Sequence, residues 1–117
     1  MQDALYAMCR MDVGGRVCDR TIIYQVLGWR GGDRFTATGT TDVVLVRRDP
    51  AGLVTLAADR PRITVPAALR HRCGARAGQQ VLLAAFPDRD MLAIYPLGSV
   101  HHAIQHHQKL LDDGGDQ

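Results

Sequence analysis

Residues 60 to 74, RPRITVPAALRHRCG, read as a short β-branched strand that passes through Val65-Pro66 into a helical turn and stops at Gly74. Shifted 46 residues towards the N-terminus, a degenerate copy lies beneath it without a gap. Arg16-Val17 falls under Arg62-Ile63, Ile22-Ile23 under Ala68-Leu69, Gly28 under Gly74, Arg30 under Arg76 and Gly32 under Gly78. This duplication constrains the fold more than any local propensity, because a unit of roughly 45 residues is too small to bury a core of its own. The two copies are therefore expected to share one. The expected organisation is a single domain over residues 1–97, with a first repeat at about 4–50 and a second at about 53–97, followed by a C-terminal helix and acidic tail over 98–117.

Within each repeat the pattern is strand, turn, strand, helical turn, hairpin. Residues 4–11 (ALYAMCRM) form a strand broken at Val13-Gly14-Gly15 before the short strand at Arg16-Val17. Thr21 to Leu27 (TIIYQVL), closed by Gly28, is too short to decide between helix and strand from periodicity. Phe35–Thr38 and Val43–Arg47 are joined by Gly39-Thr40-Thr41-Asp42, a hairpin signal. The second copy repeats this with LVTLAAD from Leu53, a turn at Asp59-Arg60-Pro61 and a strand through Ile63-Thr64-Val65. Pro66 suits the first position of a helical turn, since its missing N–H has no helical partner to lose. Val81–Phe86 then pairs with Met91–Tyr95 across a loop about two residues longer than its counterpart. Ser99 is placed to cap a last helix, Val100 to Leu111, whose Val100, Ala103, Ile104, Leu110 and Leu111 fall on one face. Asp112 and Asp113 oppose the dipole at its end, so the tail is expected to fray.

The formal charge of +2 understates the basic character, because Asp112, Asp113 and Asp116 all sit in the tail. Every basic residue except Lys109 is arginine, whose planar fork suits phosphate oxygens and guanine edges. Cys9, Cys18 and Cys73 are scattered without Cys-x-x-Cys spacing, which argues for free thiols rather than a disulfide framework or a zinc knuckle. Nothing approaches the roughly 20 apolar residues of a membrane span and no signal core opens the chain, so a cytoplasmic location is expected. There is no glutamate, no phosphate loop and no nucleophile elbow, and the aspartates are isolated; no enzyme and no cofactor are expected. His101, His102, His106 and His107 cluster in the last helix, and the 102/106 pair has chelating i, i+4 spacing, but a polar helix face is the expected reading and no metal is assigned.

Residues 60–96 resemble the AbrB/MazE/SpoVT swapped-hairpin DNA-binding family. The likeness runs through Arg62, Ile63, Val65, Pro66, Leu69, Arg70, Gly74, Gly78, Val81, Ile94 and Pro96. In the first copy Arg16, Val17, Ile23, Gly28, Gly32, Asp33, Phe35 and Leu45 fit, whereas Asp19 intrudes in the strand, Arg20 replaces the proline and Tyr24 takes the second arginine position. The resemblance implies a mainly β fold: a swapped-hairpin β-barrel formed as an intramolecular pseudo-dimer of the two repeats, with a short helical turn in each and a C-terminal α-helix. It also implies that the second copy retains more of the DNA-contacting pattern.

Carried over residue by residue, the resemblance places Arg62, Arg70 and Arg16 on a DNA-facing surface, with His71, Arg72 and Arg60 extending it and Arg10 and Arg20 as weaker members. Such a surface neutralises phosphates with counterion release and can aim arginine forks at guanine. The competing reading of Arg62 and Arg16 is a solvent-facing strand arginine paired with Asp59 or Asp12. Arg70 and Arg72 cannot both point the same way from one helical turn, and Arg70 is the expected contact. Tyr24 and Trp29 are expected to pack rather than stack on bases. The function implied is a sequence-specific double-stranded DNA-binding transcriptional regulator. One alternative is an antitoxin that binds its own operator and a toxin protein; another is an interaction module without DNA binding, in which the last helix joins another subunit. Two pseudo-dimers pairing as a homodimer, and no membrane partner, complete the expected partners.

Overall fold

A computed structural model describes residues 4–18, 21–57 and 62–114. The chain runs β1 (Leu5–Arg10), β2 (Arg16–Cys18), α1 (Thr21–Leu27), β3 (Arg34–Gly39), β4 (Val44–Arg48), β5 (Val54–Thr55), β6 (Arg62–Thr64), α2 (Ala67–Cys73), β7 (Gln80–Phe86), a 3-10 turn at Pro87–Arg89, β8 (Met91–Pro96) and α3 (Leu97–Gly114). The fold is mainly β with a C-terminal helix.

Six strands form one antiparallel sheet in the order β1-β7-β8-β4-β3-β5, while β2 and β6 pair as a separate ladder. Exchanging the repeats turns that order into its own reverse. The first strand of each repeat hydrogen-bonds to the hairpin of the other, β1 to β7 and β5 to β3, and the hairpins meet through β4 and β8. In the ladder, Val17 faces Ile63, its equivalent 46 residues on. Between the hairpins, Leu45 faces Ala93, 48 residues on, and the difference is the longer second hairpin loop with its 3-10 turn. A pseudo-two-fold axis thus passes through both pairs. The repeats share one core because neither can build its half of the sheet without a strand from the other.

The larger sheet ends at β1 and β5 and does not close into a hydrogen-bonded barrel among the described residues. The expected barrel is not seen because β2 and β6 bond mainly to each other. Among the described residues they reach the sheet edges through single bridges, Met11 to Val17 and Leu56 to Ile63. Those two bridges are themselves pseudo-symmetric. Val17, Ile63, Phe35, Leu83, Leu92 and Ile94 are fully buried between ladder and sheet.

Local chemistry bounds α2. In α2, Pro66 precedes the first turn, and Gly74 at φ 74° ends it in the left-handed conformation, with Ala75 N–H donating to the Arg70 carbonyl. The ambiguous segment at Thr21–Leu27 is helical, with Ile23, Tyr24 and Leu27 turned inward and Ile22 and Val26 outward. The last helix begins two residues earlier than its expected cap: β8 runs directly into Leu97, so Ser99 lies within the first turn, and the helix continues to Gly114. Cys9, half-buried, and Cys73, buried, are in no disulfide.

The repeats differ most beneath their helices. Copy one places Tyr24, Trp29 and Phe35 where copy two has Arg70, Ala75 and Val81. Trp29 stacks tilted on Phe35 with ring centroids 4.3 Å apart and lies 6.4 Å from Tyr24. Its Nε1 donates to Asp90 Oδ1 at 2.6 Å, and Arg48 holds the other oxygen of that carboxylate at 2.9 Å. Trp29 is therefore a packing residue, as its apolar context predicts.

Candidate nucleic-acid interface

Antiparallel pairing puts facing residues on the same side of a ladder. Val17 and Ile63 are wholly buried, so their neighbours Arg16 and Arg62 stand on the outward side of β2 and β6, diagonally across the pseudo-two-fold axis. Arg16 faces the exposed Thr64 across the ladder.

Asp12 builds the turn that presents Arg16. Its Oδ1 accepts the backbone N–H groups of Gly14 and Arg16, both at 2.9 Å, and its Oδ2 accepts the Arg16 Nε at 2.8 Å. The Arg16 backbone N–H is the chief cause of a carboxyl pKa below the ordinary aspartate value, with the Arg16 charge adding to it. The pairing of Arg16 with Asp12 anticipated from the sequence is present, and it is made through Nε.

The residue before Arg16, Gly15, joins the two repeats. It is buried at φ 75°, and its carbonyl accepts the N–H of Val65 at 3.0 Å, which draws the strand-to-helix junction of copy two onto the turn of copy one. Arg70 lies across it: the guanidinium occupies the space that a Gly15 Cβ would need, and its Nε donates to the Val65 carbonyl at 3.0 Å. Adjacent Gly15 and Arg16 from copy one thus share a surface with Arg70 from copy two. Arg70 is half-buried in this position, while His71 and Arg72 beside it are exposed.

In copy one the position equivalent to Arg70 is Tyr24, which is buried and donates its hydroxyl to the Val17 carbonyl at 3.0 Å. The outward surface is therefore unequal at its two ends. Arg62 is half-buried on the ladder. Arg10 is exposed at the end of β1, and its Nη1 donates to the Gly78 carbonyl at 2.6 Å. Arg20, Arg60 and Asp59 lie outside the described residues.

Two supporting features escaped sequence reading. Gly15 seats Arg70 without resembling a binding residue, and only the glycines in the Val13-Gly14-Gly15 break hinted at a close approach. Arg76 is exposed in the turn whose Gly78 N–H donates to the Met11 carbonyl, beside Arg10. Its match to Arg30 in the repeat alignment was the signal that could have added it. Among the described residues, no three His, Cys, Asp or Glu side chains converge as a metal site, and no helix is long and apolar enough to cross a membrane.

No family model matches the chain, and no curated protein or solved structure does either.

Proposed function

We propose that the chain is a double-stranded DNA-binding transcriptional regulator that docks through the outward side of the β2–β6 ladder, with Arg16, Arg62 and Arg70 as its central phosphate and base contacts. The observation that carries this reading is the convergence of Arg16 from one repeat and Arg70 from the other on a single turn, on a ladder that also presents Arg62. Asp12 holds Arg16 by its Nε, and the Nη donors of the fork are the natural partners of a phosphate. On this reading the exchange of strands between repeats is the swapped-hairpin arrangement of the AbrB/MazE/SpoVT family, the protein works in the cytoplasm, and it is not an enzyme. Arg72 and His71 extend the contact, and Arg10 flanks it.

Because Tyr24 stands where copy two has Arg70, the two half-sites should bind unequally, and the preferred operator should be an imperfect palindrome. Binding to labelled duplex measured across salt tests the reading: neutralising about four phosphates gives a log–log slope of about −3.6. A second reading, a protein-interaction module or an antitoxin, draws on the exposed α3, which would then hold the partner protein.

A further inference from the structure

The two ends of the six-stranded sheet are pseudo-symmetric in topology but not in length. β1 pairs with β7 along the whole of Leu5–Arg10, whereas β5 pairs with β3 only at Arg34 and Phe35. The link from β4 causes the difference. Gly52 N–H closes a turn onto the Asp49 carbonyl at 2.8 Å, and Gly52 crosses the Phe35 backbone so closely that a Cβ would collide with it. β5 therefore reaches the edge of β3 too late to pair beyond Phe35. Backbone alternation sets what is left open. The Asp49 and Thr40 N–H groups donate to the Arg34 and Val43 carbonyls, which turns the even residues of β3 towards β4. Leu56 N–H donates to the Asp33 carbonyl, which turns the odd residues towards β5. The N–H and C=O groups of Ala37 and Gly39 thus point into a gap that no strand fills among the described residues. The gap opens into a notch of about 280 Å³ bounded by Phe35, Ala37, Gly52, Leu53, Val54 and Pro66.

The opposite end of the sheet shows what belongs there. The equivalents of Ala37 and Gly39, Leu83 and Ala85, pair with Ala7 and Leu5 and are fully buried, whereas Ala37 and Gly39 are half-buried. On α1, which packs on β1 and β7, Ile23 is fully buried; its equivalent Leu69 on α2, against Gly39, is half-buried. We infer that the open edge of β3 is a strand-addition site for an extended segment of a partner protein. The segment pairs antiparallel to β3 and turns apolar side chains inward at the positions that Leu5 and Ala7 hold against β7, where both pack on the core. Ala37 and Gly39 offer donors and acceptors at the spacing of alternate strand residues, which a peptide backbone matches. Direction follows from β5. An antiparallel segment in line with it passes Gly39 first and Ala37 last, then meets the exposed Leu53, so it ends or turns away there. A second copy offers no such segment among its described residues. Its strands already lie in ladders, and its edge strand β1 would carry a whole sheet into a gap that spans only Ala37 to Gly39.

The probe is a peptide copying residues 1–7, MQDALYA, which in the register of β1 sets Leu5 and Ala7 opposite Gly39 and Ala37. It should bind the full chain saturably with a dissociation constant below about 1 mM. Amide exchange at Ala37 and Gly39 should be faster than at Leu83 and Ala85 in the free protein, and should slow when the peptide saturates it. N-methylation of the peptide at Leu5 and Ala7 keeps the side chains, removes both donors and should weaken binding at least about ten-fold. Ala37→Pro, which removes an N–H facing the gap and none facing β4, should do the same. Absence of binding, or equal binding of the methylated peptide, overturns the inference. It is also overturned if Ala37 and Gly39 are as protected as Leu83 and Ala85 in the free protein. Protection that rises with protein concentration alone assigns the edge to a second copy and overturns it too. Duplex binding is judged separately, because β3 is no part of the β2–β6 ladder.

Discussion

The guanidinium of Arg70 rests on the backbone of Gly15, a residue of the other repeat, at a point where a side chain on Gly15 would displace it. The best-placed helix arginine of copy two is thereby fixed by the turn of copy one that presents Arg16. Gly15 also sits at φ 75°, where a Cβ is strained.

Gly28 provides the control for that relationship, since it has nearly the same φ, 72°, but open space around it. Both Gly15→Ala and Gly28→Ala should lose about 1–2 kcal/mol of stability from left-handed strain, measured by urea unfolding. Gly15→Ala should lose about 1 kcal/mol more as Arg70 gives up its bond to Val65. It alone of the two should also weaken duplex binding.

Trp29 is the only tryptophan and is 4% exposed, so its emission should be blue-shifted when folded and should report unfolding directly. Trp29→Ala should cost about 3–5 kcal/mol by emptying the aromatic cluster of copy one. Trp29→Phe keeps most of the packing but loses the bond to Asp90. It should cost about 1.5 kcal/mol, the low end for a charged acceptor, because the Asp90 side chain is 44% exposed.

Asp12 and Asp49 should together shape the acid limb of stability. The Asp12 carboxyl is lowered chiefly by the Arg16 backbone N–H, and that of Asp49 chiefly by the Thr36 hydroxyl. A folded-state pKa below the unfolded value contributes stability that is fully present above about pH 4 and is lost as pH falls through the folded value. Asp12→Asn with Asp49→Asn should therefore flatten the decline in stability below about pH 4, read from urea midpoints at each pH.

The repeat made much of this architecture legible in advance. Equivalent residues 46 apart foretold the shared core, and the turn signals at Gly39–Asp42 and Pro87–Asp90 located both hairpins. The pairing of Val17 with Ile63 obeys the same symmetry but was seen only in the structure. What stayed hidden depends on contacts distant in sequence. No periodicity tells that Arg70 will fold back on Gly15, or that Tyr24, expected to pack, will donate its hydroxyl to the Val17 carbonyl. The helical state of Thr21–Leu27 was undecided for a related reason: Ile23, Tyr24 and Leu27 form an inward face only once the ladder and sheet exist to receive it. The start of α3 was misplaced because Ser99 resembles a cap, while β8 passes into the helix with no intervening loop.

The most direct measurement is duplex affinity, by fluorescence polarisation, of an Arg16→Ala, Arg62→Ala variant beside a charge-matched Arg47→Ala, Arg89→Ala variant altered on the hairpins. The account predicts that the ladder variant binds at least about ten-fold more weakly and that its salt slope is shallower by about 1.8, the share of two phosphates. The hairpin variant should stay within about three-fold of the wild type. Equal weakening of the two variants, or wild-type affinity in the ladder variant, would contradict a DNA interface on β2 and β6.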